Sequence, residues 1–398
     1  MTKPLTDLAL VLSGGGARGA FQAGAWAALS EDERFGQPTI LSGTSAGAIN
    51  SALIATGRGP EHLKNFWFSI ADDPPAAANG AFFGDIIQEV LGLLRRNGVT
   101  LTTSVIRRLR GRRFPGPVDL LSALGEVLLV DRFDLTSRFL DHVRQASVLD
   151  TARLRERLIE YLGGESLRTR HYRIGINAVD AASRSYARYV LNAPSSVEDS
   201  EYIRVDAITV DMLLGSASVP VLFAPIAVDS ALLWDGGILV TTPMAPAITL
   251  GAQFIIPVLV AEPPQEVGQS KLAPEIRQES RGGANTRSTV MTLAETIESV
   301  VDTLVDNTFA NDRRLLLSLN AHPDYRRIQL YEPIRPARSV GITGGSYFDF
   351  TKNSMRLLYD AGLHSARQWL ASGPPVDNGE PARPKKREPR MGAEDLNP

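Results

Sequence analysis

The stretch Thr39-Ile40-Leu41-Ser42-Gly43-Thr44-Ser45-Ala46-Gly47-Ala48-Ile49-Asn50 constrains this chain more than any other. A short apolar strand-forming run meets Gly43-Thr44-Ser45-Ala46-Gly47, and an apolar helix-forming run over residues 48–55 follows. Strand, tight turn and helix, in that order, are the setting in which a G-x-S-x-G pattern carries a serine on a sharp corner. Gly43 and Gly47 stand where a side chain would collide. The serine oxygen is then placed at a helix N-terminus, where unpaired N–H groups and the helix dipole favour developing negative charge. Taken alone, the same residues also fit an N-cap serine in a glycine turn. Together with the motifs below, they make Ser45 the expected nucleophile.

The segments around this corner predict an α/β fold with a mostly parallel central sheet flanked by helices. Residues 7–13 (DLALVLS) form a near-continuous apolar run ended by glycines, the pattern of a strand buried on both faces. Gly14-Gly15-Gly16-Ala17-Arg18-Gly19 follows, and residues 20–29 read as a helix. A second strand at 39–42 and its helix from about 46 to 55 complete two strand–turn–helix units. Over 61–163 the strand signals disappear, and 85–94, 118–130 and 151–162 carry helical periodicity, so this part is expected to be a helical insertion. Residues 172–179 and 185–191 read as a hairpin around Asp180-Ala181-Ala182-Ser183. A helix is expected over 205–218, stopped near Pro220. Leu232-Leu233-Trp234 is a short strand ending at Asp235-Gly236-Gly237, and 254–260 is another buried strand. These elements define an expected catalytic domain over 7–262. A mobile loop is expected over 263–288, rich in Pro, Gln, Ser and Gly. Residues 289–371 are expected to complete the domain with C-terminal helices. Val290, Leu293, Ile297, Val300, Val301, Leu304 and Val305 recur there at helical spacing. A late strand at 326–331 and a closing helix at 349–370 follow, and 372–398, dominated by proline and charge, reads as a disordered tail.

An acyl-transfer serine needs a group to take its proton, donors for the oxyanion and a pocket for the acyl chain. At 398 residues and 43% hydrophobic, the chain has the apolar content to build such a pocket. The absence of cysteine removes thiolate chemistry, disulfides and cysteine metal sites. Gly14, Gly15 and Gly16 are candidate donors, because glycines at a strand end leave their N–H groups open and let a carbonyl approach. If the first two strands are adjacent and parallel, both turns lie at one sheet edge, where ligands bind in such sheets. His62, His142 and His171 sit in charged surroundings. His322 and His364 follow Asp235, so the chain order Ser, Asp, His leaves an α/β-hydrolase triad open. Asp235 is the more specific candidate. A carboxylate at the end of a short strand, before two glycines, takes the serine proton directly if it lies within hydrogen-bond reach.

The glycine loop from Gly14 to Gly19, the corner from Gly43 to Gly47 and Asp235-Gly236-Gly237 resemble three blocks of the patatin-like phospholipases. Ser216-Ala217-Ser218-Val219-Pro220-Val221-Leu222-Phe223-Ala224-Pro225, leading into the aspartate, resembles that family too, and the blocks stand in the family's order. The resemblance implies a Ser45–Asp235 dyad without a catalytic histidine. It also implies an oxyanion hole from the amides of Gly14, Gly15 and Gly16, helped by the amide after Ser45, and a sheet flanked by helices. Arg18 is implied as a prop for that loop, with Gly19, Gly43, Gly47, Gly236 and Gly237 as supporting residues. The chain departs from the family at Thr241-Thr242-Pro243, where an asparagine usually precedes the proline. Either the Thr242 hydroxyl replaces that amide in supporting the turn, or the local geometry differs from the family's.

Other readings are weaker. Gly14-x-Gly16-x-x-Gly19 fits the dinucleotide fingerprint, but the second strand does not end in the acidic residue that would hold a ribose. The net charge of −2 gives no global attraction to nucleic acid, and none is expected as a partner. Arg95, Arg96, Arg107, Arg108, Arg110, Arg112 and Arg113 form a basic run with interleaved apolar residues. It reads equally as a surface docking on anionic membrane headgroups or as a solvated helix face. No secretory signal and no apolar run of membrane-spanning length is visible, so the expected location is cytoplasmic, with peripheral membrane contact only under the first reading of that basic run. The expected activity is hydrolysis of fatty-acyl esters of phospholipids or lysophospholipids, with no metal or organic cofactor. The alternatives are a Ser-Asp-His esterase and a non-catalytic lipid- or nucleotide-binding protein of the same fold.

Overall fold

The computed structural model describes residues 5–72, 77–78, 147–197, 201–263, 293–337 and 347–377. Its first strand, β1 (Leu8–Leu12), is buried along its whole length. Successive side chains of a strand point to opposite faces. Leu8, Leu10 and Leu12 therefore enter one core, while Ala9 and Val11 enter the other. That double burial explains the unbroken apolar run. Two helices carry the chain away from and back to this strand edge: α1 (Gly19–Leu29) and, after β2 (Ile40–Thr44), α2 (Ala46–Ala55). Both helices are buried on every side, which accounts for their lack of a polar face. α3 (Pro60–Asp72), by contrast, buries Leu63, Phe66, Trp67 and Ile70 along one side.

The remaining elements are β3 (Ala77–Ala78), β4 (Ser147–Asp150), α4 (Ala152–Leu162), β5 (Ser166–Leu167), β6 (Arg173–Asp180) and β7 (Ser185–Leu191). β8 (Ile203–Val205), β9 (Ile208–Thr209), α5 (Val210–Ser216), β10 (Val221–Phe223), β11 (Ile226–Val228) and β12 (Ala231–Asp235) follow. The chain continues through α6 (Met244–Thr249), β13 (Phe254–Val258), α7 (Leu293–Asn320), β14 (Gln329–Leu330) and α8 (Lys352–Ala371). Among the described residues the central sheet has nine strands. β6, β2, β1, β13 and β14 lie side by side and parallel. β7 is antiparallel to β6, and β11 and β12 form an antiparallel pair. The sheet is thus mostly parallel, between a helical layer containing α1, α2, α3 and α8 and another containing α6 and α7.

The register along β6 positions the site. β7 occupies one edge of β6 from Ile174 to Asp180. Along the other edge, β2 pairs with Arg173 through Asn177, and β12 takes over at Ala178. Thr44 is opposite Asn177 and Asp235 is opposite Ala178. Adjacent residues of one strand therefore bring the end of β2 to the end of β12, although Thr44 and Asp235 are far apart in sequence.

α1 and α8 cross at backbone distance. A Cβ at Gly24 would lie 1.9 Å from the Tyr359 carbonyl oxygen, and one at Gly362 would lie 1.9 Å from that of Phe21. Buried amides tie the helical layer to the end of β1. Gln22 donates to Ser13 O at 2.8 Å, Asn50 donates to Gln22 Oε1 at 2.8 Å, and the Trp67 indole donates to Asn50 Oδ1 at 2.8 Å.

Several sequence expectations are corrected. The described part of 61–163 contains α3 and α4, but Ser147–Asp150 is a strand held between β10 and β3. Four residues do not display a period, and only their partners make them a strand. The helix expected over 205–218 begins at Val210, where the Thr209 hydroxyl accepts the Met212 N–H, and its leading residues form β8 and β9. On α7, Val305, Phe309 and Leu316 are buried, whereas Val300 and Leu304 face solvent. The chain after α8 does not leave the body at once: Val376 bridges Tyr331, and buried Asp377 pairs with Arg313. Val290, His142, the basic run at 95–113, nearly all of the loop at 263–288 and the tail beyond 377 lie outside the described residues. Among the described residues no helix is long and apolar enough to cross a membrane.

Candidate active site

Ser45 joins β2 to α2 with φ 56° and ψ −124°, in the left-handed region that a non-glycine residue occupies at a cost of roughly 1–3 kcal/mol. The surroundings hold it there. A Cβ at Gly43 would lie 2.2 Å from the Gly47 carbonyl oxygen, and one at Gly47 would lie 2.1 Å from that of Leu12. Only glycine lets the corner fold this tightly against β1. The Ser45 N–H, inverted by the turn, donates to Ser216 Oγ at 2.9 Å, and Ser216 in turn donates to the Asn177 carbonyl at 2.5 Å.

Asp235 ends β12, and its backbone N–H donates to Ser218 O at 2.8 Å. The segment from Ser216 to Ser218 thus grips both Ser45 and Asp235. Its sequence resemblance was visible, but its role was not. Two serines with an alanine between them show nothing at the sequence level about which distant amides they will meet. The Asp235 side chain accepts the Gly237 N–H at 2.6 Å, and the Ser45 hydroxyl is close enough to influence its carboxyl. Burial pushes its carboxyl up to about 6, and the Ser45 hydroxyl and the Gly237 N–H oppose that shift. At neutral pH it is still mostly ionised, as a proton acceptor must be.

The glycine loop lies against this pair, since a Cβ at Gly14 would be 3.4 Å from Ser45 Cβ. One expectation needs correction here. The Gly14 N–H donates to Thr241 O at 2.8 Å, so it is not free to meet an oxyanion. A strand-end glycine looks free in sequence, but a returning loop from the far side of the fold engages it. The described residues offer no acceptor to the N–H groups of Gly15, Gly16 or Ala46, the first residue of α2. Gly16 has φ 49°, and a Cβ there would lie 2.4 Å from the Tyr347 carbonyl oxygen. A Cβ at Gly15 would strike Val260 at 2.5 Å, so the loop has no room for side chains.

Arg18 is 2% exposed. Its guanidinium donates to Val260 O at 3.2 Å and to Asp302 at 2.9 Å, pairs with Glu298, and lies 4.0 Å from the centre of the Tyr347 ring. Gly19 lets the same turn pass Trp67, whose ring a Cβ would meet at 2.2 Å. Gly236 serves a similar purpose at the base, because a Cβ there would lie 2.5 Å from Asn177 O. The turn after the aspartate is fixed by other hydroxyls than the one expected. Ser42 donates to Pro243 O at 2.7 Å, Thr44 donates to Val240 O at 3.1 Å, and Thr241 donates to Leu304 O at 2.9 Å. The Thr242 hydroxyl, buried, has no hydrogen-bond partner among the described residues.

The described histidines lie elsewhere. His62 bonds Tyr161 O, His322 is exposed beside Asp324 and Tyr325, and His171 and His364 are on the surface. None of them is among the groups that perturb Asp235. Among the described residues no group of three or more His, Asp or Glu is arranged to hold a metal ion.

Comparison with known proteins gives a family. The patatin-like phospholipase profile matches residues 10–248, more than half of the chain. The structure is similar to the crystal structure of VipD from Legionella pneumophila, with a TM-score of 0.39 and 16% identity, covering 92% of this chain and 67% of that one. It is also similar to the ExoU–SpcU complex from the type III secretion system of Pseudomonas aeruginosa, with a TM-score of 0.25 and 16% identity, covering 93% of this chain and 60% of that one. No curated protein sequence matches. A parallel sheet with a strained serine at its edge, and a profile spanning the glycine loop through Asp235, together show that the chain belongs to the patatin-like phospholipase family of lipid acyl hydrolases.

Proposed function

We propose that this chain cleaves fatty-acyl ester bonds of phospholipids or lysophospholipids through an acyl-enzyme on Ser45, with Asp235 as the only base. The observation that carries the proposal is the register along β6, which brings the strained Ser45 corner beside the end of β12, where the pKa of the buried Asp235 carboxyl is lowered by the Ser45 hydroxyl. As the Ser45 oxygen bonds to the ester carbonyl carbon, its proton passes to Asp235, and the carbonyl oxygen becomes an oxyanion facing the N–H groups of Gly15, Gly16 and Ala46. Collapse breaks the bond to the leaving alcohol, which takes the proton from Asp235. Water then adds to the acyl-enzyme, giving its proton to Asp235, and release of the fatty acid returns that proton to Ser45.

A fluorophosphonate probe and a panel of phospholipids and lysophospholipids test this together. Wild-type protein is expected to label on Ser45 and release fatty acid, and Ser45→Ala to do neither. Labelling at another residue, or turnover retained in Ser45→Ala, would remove the proposal. The double variant His322→Ala, His364→Ala is expected to keep full activity, since neither ring is near the pair.

A further inference from the structure

We infer that Glu298, Asp302 and Tyr347 are positioning residues that set the geometry of the oxyanion loop through Arg18. The inference rests on the acyl-transfer reading above. All three residues lie beyond residue 248, where the family profile ends. The loop Gly14-Gly15-Gly16-Ala17 has almost no side-chain surface of its own to pack, so something else must fix its amides. Two contacts reach it from the C-terminal part of the chain. The first is backbone: Tyr347 O accepts the Ala17 N–H at 2.9 Å and lies where Gly16 would carry a Cβ. The second is Arg18, whose guanidinium is withdrawn from water and therefore requires anions.

Glu298 and Asp302 stand one turn apart on α7, on the same face, and both pair with Arg18. The Tyr347 hydroxyl donates to Asp302, and its ring covers the guanidinium at 4.0 Å. Arg18 also holds Val260 O at 3.2 Å, and Val260 is the side chain against which Gly15 is pressed. Gly15 and Gly16 are thus wedged between Val260 and Tyr347, with Arg18 joining both walls to α7. A guanidinium with five fixed donors holds such a set of acceptors in one arrangement. Loosening any anchor lets the amides drift from the position where the oxyanion forms, and a displacement of about 1 Å costs roughly a hundredfold in rate.

The test uses the full chain and the variants Asp302→Asn, Glu298→Gln and Tyr347→Phe, each near-isosteric, with melting temperature measured alongside. The first two are expected to lower kcat about 10- to 100-fold, and Tyr347→Phe about threefold to tenfold, with KM changed less than about threefold. Affinity for a trifluoromethyl ketone, which forms an oxyanion on the nucleophile, should fall in proportion to kcat/KM, while binding of a non-hydrolysable ether analogue stays unchanged. Asp302→Asn combined with Arg18→Ala should cost little more than Arg18→Ala alone, because both act through one side chain. Variants that unfold are replaced by the Tyr347→Phe comparison, which removes a single hydroxyl. Wild-type kcat in all three variants, or loss of both analogues together, would overturn the inference and leave Ser45 as nucleophile intact. Absence of turnover and labelling in the wild type would instead remove the acyl-transfer reading itself.

Discussion

Ser45 and Asp235 meet beside the same edge of β6, yet the chain holds them by different means. Ser45 is held by shape: a strained φ, two glycines that admit no Cβ, and an inverted amide caught by Ser216. Asp235 is held by hydrogen bonds and tuned by burial, which raises its carboxyl to about 6. A sterically held group should be intolerant of volume and indifferent to pH. A group tuned by burial should behave the other way round.

The largest effects test the contrast directly. Ser45→Gly is expected to lower turnover by about 10⁴-fold or more, while relief of the positive φ raises stability by about 1 kcal/mol in denaturant titration. Asp235→Asn should lower turnover about 10²- to 10⁴-fold. Its stability effect depends on pH. Below the unfolded carboxyl value of 3.8 both states carry a neutral group, so the variant gains nothing. As pH rises through about 6, the folded wild type must ionise a buried carboxyl, and the variant is expected to become more stable by up to about 3 kcal/mol. Equal stability of the two proteins at pH 8 would show that burial does not tune this group.

Volume sharpens the other half. Gly47→Ala should destabilise by about 3 kcal/mol or prevent folding, because its Cβ would lie 2.1 Å from Leu12 O. Gly14→Ala, with a Cβ 3.4 Å from Ser45 Cβ, should fold normally but slow turnover about tenfold by crowding Ser45. For the wild type, kcat/KM should rise about tenfold per pH unit up to about 6 and level off above it, reporting Asp235 in the free enzyme. The smallest effect lies at Thr242. Thr242→Val removes a buried hydroxyl without a partner and should stabilise by about 1 kcal/mol with activity unchanged.

What the sequence revealed follows the same division. Features fixed by local sterics were readable: Gly43, Gly47 and Gly236 mark turns because nothing else fits there, and the apolar run at β1 marks a strand covered on both faces. Features fixed by distant partners were not. The Gly14 amide looked free, but Thr241 engages it from more than two hundred residues away. Thr242 looked like the support of its turn, while Ser42, Thr44 and Thr241 do that work. The resemblance offers Arg18 as a prop, but the two carboxylates and the ring that its guanidinium meets lie on α7 and just before α8, where no local pattern points back to a glycine loop. β4 escaped for a related reason, since a strand of four residues exists only through its neighbours.

The crossing of α1 and α8, backbone against backbone at Gly24 and Gly362, has a consequence for biogenesis. α1 leaves a ribosome well before the helix that shields its flank, which appears only after roughly 300 further residues have been added. During that interval the nascent chain exposes a glycine- and alanine-rich surface beside an unfinished sheet. Its hydrolytic centre should therefore be assembled late in synthesis, with chaperone demand concentrated before α8 emerges.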